Sequence, residues 1–159
     1  MSKFILTEEL KNLVGWCREP LVYKIEEGSI QRFARAVGDD NPLYNDLEFA
    51  ARSEYGRLMA PPAFVGWPLN SGFDMFKIVE KLISAGGPRG NLDGGVEYEF
   101  LAPLGAGDIL MCVIKIVSIE GKETRMGPTM LTTVESTYTN QRGAIALIAR
   151  NWFLSFQNT

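Results

Sequence analysis

Val96-Glu97-Tyr98-Glu99-Phe100 alternates apolar and acidic residues, the period-two signature of a half-buried strand, and it ends at Pro103. From Gly95 onward that period continues. Ile109 to Ile119 predicts a long strand, apolar on both faces over Ile109 to Val117, as core packing alone or a sheet covered by another subunit would produce. Gly121-Lys122 predicts a turn, Met130 to Thr139 a third strand, Asn140 to Gly143 a second turn, and Ala144 to Phe156 a fourth strand. The last ~60 residues therefore read as an antiparallel meander.

Upstream the period is helical. Leu6, Leu10, Leu13 and Val14 place a short helix over 6–16, and Leu21 to Ile25 is β-prone. Ser29 reads as an N-cap for a helix carrying Ile30, Phe33, Ala34 and Val37, with Gly38 as its stop. Asn45 or Asp46 caps a second short helix running to about Ser53. Pro61-Pro62 opens a helix in which Ala63-Phe64-Val65-Gly66-Trp67 is apolar all round, as in a helix buried on every side. Pro68 interrupts it, and Phe73 to Ser84 resumes the spacing until Gly86-Gly87. Helices followed by an antiparallel meander, with one fully apolar helix, define an α+β class in which a curved sheet wraps a central helix.

The totals narrow the function. A chain of 159 residues reads as one domain, 1–159, large enough to bury a core without disulfides or metal. A net charge of −3, with both signs interspersed, argues against nucleic acid. No apolar run reaches a membrane span and no signal-peptide pattern is present. Cys17 and Cys112 have no metal-type spacing, and Cys112 falls in an apolar strand pattern, so a reducing cytoplasm fits. The sequence contains no histidine, which removes Ser-His-Asp and Cys-His hydrolases and His-ligated metals together. No cofactor is expected.

Gly38-Asp39-Asp40-Asn41-Pro42-Leu43-Tyr44-Asn45-Asp46 resembles the active-site signature of the MaoC-like (R)-specific enoyl-CoA hydratases and 3-hydroxyacyl dehydratases. In that family an aspartate is followed by Asn-Pro and then by a histidine five residues after the aspartate. Asp39 stands at the aspartate position, Asn41-Pro42 follow, and Tyr44 stands where the histidine belongs. Gly56 to Pro62, Leu101 to Asp108 and Tyr138 to Gly143 are similar to further segments of the family's fatty-acid-synthase-like dehydratase domain. The resemblance runs from about residue 21 to 156 and implies the hot-dog fold. It also implies a substrate, an acyl-CoA or acyl-carrier-protein thioester.

Hydration of an enoyl thioester needs a base for water, an acid for C2, and donors for the thioester oxygen. By resemblance the donors are backbone amides at the start of the buried helix, here those of Ala63 and Phe64. Asn41 and Trp67 complete the expected substrate contacts. A tyrosine with a pKa of about 10, against about 6.5 for histidine, is a poor base at neutral pH. Asp39 has two readings, a lone carboxylate base or a residue that pins the Asn41-Pro42 turn. Phe64, Trp67, Phe73 and Phe76 line an acyl pocket or pack the core; Arg52, Arg57 and Arg89 are candidate contacts for CoA phosphates.

Three functions follow. The first is the non-catalytic subunit of a heteromeric hydratase or dehydratase, paired with a histidine-bearing hot-dog partner. The second is a homodimer using Asp39 with Tyr44 or another carboxylate. The third is an acyl-CoA thioesterase or binder, for which Asp74 is the carboxylate on the central helix.

Overall fold

The computed structural model describes residues 3–66 and 75–157. Five strands form one antiparallel sheet in the order β1-β3-β4-β5-β2: β1 Leu21–Lys24, β2 Gly90–Phe100, β3 Ile109–Thr124, β4 Gly127–Asn140 and β5 Ile145–Phe156. The inward residues of β3 and β4, among them Leu110, Ile114, Ile116, Met130 and Val134, are buried in one core cluster. Ile78 and Leu82 of helix α5, Met75–Ser84, enter the same cluster. A curled sheet with a helix packed against its inner face is the hot-dog fold that the resemblance implied.

Between β1 and the site lie three helices: α2 Glu27–Val37, α3 Pro42–Asn45 and α4 Leu47–Arg52. Gly38 ends α2 in the left-handed conformation at φ 72°, as expected. Its start differs from expectation. Glu26 occupies the cap position without a side-chain bond, and Ser29 lies inside the first turns, where its hydroxyl accepts from Arg32. The signature was expected in a loop, but its second half is the one-turn α3. Asp46 caps α4 as expected, accepting from the N–H groups of Glu48 and Phe49.

Two other expectations are corrected. The N-terminal helix shrinks to α1, Glu8–Lys11, capped by Thr7, because Gly15 then donates its N–H to Ile116 O and draws the chain onto the sheet edge. Gly121-Lys122 is no turn: β3 runs on to Thr124, and Gly121 pairs with Met130. The glycine is needed because the backbone of Phe4 lies directly over it, in the space a Cβ would occupy. The outward face of β3 is open in the isolated chain, with Ile109 and Met111 exposed. The apolar segment expected at the start of the central helix is a 3₁₀ turn at Pro62–Gly66. Ala63 is exposed there while Phe64 is buried, edge-on to Phe33 at 5.8 Å. Phe76 is exposed, whereas Trp67, Pro68, Phe73 and Asp74 lie outside the described residues.

A polar knot sits within the core. Burial pushes the Cys112 thiol up to about 11 and the Tyr23 phenol to about 12, and it raises Tyr138 further. All three are neutral in the fold, and their raised values stabilise it fully below the ordinary thiol value. That contribution falls as pH rises from about 9 through about 12. Thermal melts should therefore show Tm declining steadily across this window, and a flat Tm to pH 11 would contradict the burial of these groups. Separately, Gly121→Ala should cost about 1–2 kcal/mol in urea denaturation by displacing the Phe4 segment. An unchanged midpoint would show that Phe4 does not hold that position in solution.

Candidate functional site

The signature folds into a tight hydrogen-bonded knot. Asp39 Oδ1 accepts from Asn41 N–H at 3.1 Å, and Asn41 Oδ1 accepts from Leu43 N–H at 3.0 Å, so Asn41 caps α3. Asn45 Nδ2 donates back to Asp39 O at 2.8 Å, and Gln31 of α2 donates to Asn45 O at 3.0 Å. Pro42 starts α3 with its φ already suited to the first turn. The knot presents Leu43 and Tyr44 to a pocket of about 370 Å³.

The opposite walls come from two distant segments. Met59 to Pro62, with Val65, form one side, and Phe100 to Leu104 form the other. Backbone bonds tie them together: Met59 N–H to Leu43 O at 2.9 Å, Ala60 N–H to Leu104 O at 2.8 Å, and Ala106 N–H to Leu58 O at 2.8 Å. Behind them the Arg57 guanidinium grips the Asp108 carboxylate in two parallel bonds, of 2.6 and 2.8 Å, and also donates to Ala106 O at 3.1 Å. Gly105 N–H and Gln141 Nε2 complete the carboxylate's shell. Burial pushes the Asp108 carboxyl up, but the bonds from Arg57, Gly105 and Gln141 outweigh it and hold the group below the usual carboxylate range. Arg57 is thus committed to Asp108 rather than open to a phosphate. Arg52 makes an exposed pair with Glu48, and Arg89 is exposed.

Tyr44 is the one signature side chain that combines pocket position with a perturbed environment. Its phenol is raised by burial, then by the neighbouring Asp39 carboxylate and by Tyr55. It stays protonated at neutral pH and serves as a donor, not a base. Tyr55, which the sequence did not single out, lines the same pocket. Ala63 and Phe64 do not line it, and Phe64 N–H donates to Pro61 O at 2.9 Å. The chemistry on offer is an apolar cleft with two phenol donors in its lining and a carboxylate beside one of them.

Residues 12–148 match the family model for the FAS1-like dehydratase domain region. The chain belongs to that family. A UPF0336 protein of Streptomyces avermitilis is 33% identical over 105 residues, which cover 62% of this chain and just under two thirds, 64%, of that protein. Among solved structures, the HadBC (3R)-hydroxyacyl-ACP dehydratase complex of Mycobacterium tuberculosis superposes with a TM-score of 0.72 at 23% identity, over 90% of this chain and 97% of that one. The ChsH1-ChsH2 complex of the same organism gives 0.80 at 18% identity, over 96% of both chains. These likenesses carry the fold. No helix among the described residues is long and apolar enough to cross a membrane.

Removing one partner of the Arg57–Asp108 pair leaves the other partner without its counter-charge. Arg57→Met should cost about 2–4 kcal/mol, the low end reflecting the partial exposure of Arg57. The lowered Asp108 carboxyl adds stability above about pH 4, which is lost as pH falls further. Chemical denaturation at pH 7 and pH 3 tests both points: the variant's deficit should be large at pH 7 and shrink at pH 3.

Proposed function

We propose that this chain is the histidine-free half of a two-unit enoyl-thioester hydratase or 3-hydroxyacyl-thioester dehydratase, working beside a histidine-bearing hot-dog partner. The observation that carries this is Tyr44. It occupies the histidine position of the signature, and its environment pushes the phenol further from base chemistry. Asp39 is the only other acid-base group of the signature pair, and its Oδ1 is engaged by Asn41 N–H. A lone carboxylate that pins its own turn lacks the partner with which to share a water. The HadBC and ChsH1-ChsH2 neighbours are complexes of two named components, which supports a paired arrangement.

In this reading the single unit, 1–159, shapes the acyl path rather than running the proton transfers. Tyr44 and Tyr55 present donors in the lining of the cleft, and Asn41 holds the loop that carries Tyr44. Of the two amides expected to hold the thioester oxygen, Phe64 N–H is spent on Pro61 and Ala63 lies outside the cleft lining; Trp67 contacts the acyl chain. The substrate is an acyl-CoA or acyl-carrier-protein thioester. Two unpaired cysteines, one of them buried, support a reducing cytoplasm.

The purified chain alone should not hydrate enoyl-CoA, measured as loss of conjugated thioester absorbance, and should do so when mixed with its histidine-bearing partner. Turnover by the chain alone as a homodimer would sink the proposal and make Asp39 and Tyr44 catalytic. In the mixed complex Asp39→Asn should change kcat by less than about threefold. A loss of about a hundredfold, the scale of a missing general acid or base, would assign it a direct role. Tyr44→His should give the isolated chain measurable hydration if its cleft is otherwise intact.

A further inference from the structure

A second pocket, of about 410 Å³, shares no lining residue with the first. Trp16, Arg18, Glu19 and Leu21 line it on the approach to β1, and Lys77 lines it from α5. Arg18 stands in the wall between this pocket and the polar knot of the core. Its backbone N–H is fixed to Ile114 O at 2.9 Å, which sets the side chain at the edge of β3. Nη1 of the guanidinium is buried, and no protein acceptor reaches it. Tyr23 Oη, on the neighbouring strand, is likewise buried and unpartnered. The two groups interact electrostatically: Arg18 draws the Tyr23 phenol down while burial and Cys112 push it up. Next to them lie the Cys112 thiol and the Tyr138 and Ser136 hydroxyls, both of which hydrogen-bond with it.

A buried N–H of a cation and a buried phenol, both without acceptors, forfeit the hydrogen bonds they would make in water. Among the described residues no carboxylate lies within ion-pairing distance of Arg18, although Glu19 is next to it at the rim. The unpartnered groups gathered at the inner end are donors: a guanidinium N–H and a phenol held protonated. What such a set lacks is a compact acceptor of negative charge.

We infer that Arg18 and Tyr23 form a binding site for the carboxylate or phosphate group of a small anionic ligand that enters through the Trp16–Lys77 pocket. The site is independent of the hydratase reading, because it shares none of that pocket's residues and its test reads binding rather than turnover.

Thermal melts in inorganic phosphate and in glutarate, against sodium chloride at equal ionic strength, test the inference. At 10 mM, one of the two anions should raise Tm by about 3 °C or more over chloride. A response to phosphate alone identifies a phosphate ligand, and a response to glutarate alone a carboxylate. Arg18→Met should abolish the shift, and Tyr23→Phe should weaken binding about three- to tenfold in calorimetric titration. Without added anion, Arg18→Met should melt no lower than the wild type, because it removes a buried N–H that nothing pairs. No shift with either anion, an equal shift in Arg18→Met, or a large drop in that variant's own Tm would each overturn the site.

Discussion

The Arg57–Asp108 pair is the constraint on which the candidate site depends. It joins two segments 51 residues apart, and its two charge-assisted bonds fix both the distance and the plane of the contact. Gly105 is part of the same device: a side chain there would collide with Leu58 O and the Arg57 guanidinium. The ion pair, the Met59–Gly105 bridge and the Ala60–Leu104 bond act as one clasp. Only with that clasp closed do Met59–Pro62 and Phe100–Leu104 face each other across the pocket that Tyr44 enters.

The chemistry at that pocket follows from what the fold does to each titratable group. A histidine would bring a proton acceptor near neutral pH; a phenol beside a carboxylate and a second phenol is driven the other way. Three of the signature's polar side chains serve its own architecture, with Asp39, Asn41 and Asn45 closing the turn and capping α3. The loop thus uses these side chains to hold its own shape.

How much of this was legible in the sequence depended on range. Alternation located the strands, and Gly38 and Asp46 marked a helix end and a helix start, because those signals act within a few residues. Pairings across the chain were silent. Gly121 looked like a turn residue because its true reason, the Phe4 backbone above it, is more than a hundred residues away. Arg57 looked like a free cation because Asp108 lies 51 residues further along the chain. Tyr55 gave no local signal at all, since only the folded chain brings it beside Tyr44. The 6–16 helix failed for the same cause: its last turn was claimed by the sheet edge through Gly15.

The sheet order has a consequence for how the protein is made. β3, β4 and β5 are successive hairpins and can pair as they emerge. β1 cannot, because Leu21 waits for Cys112, and β2 meets its partner only once β5 emerges, from Leu147 to Phe156. At roughly 5–20 residues per second, β1 and the helices behind it spend on the order of 5–20 s without their sheet. The pocket walls around the signature loop therefore wait for the clasp partner Asp108, and long-range pairing of this kind folds slowly.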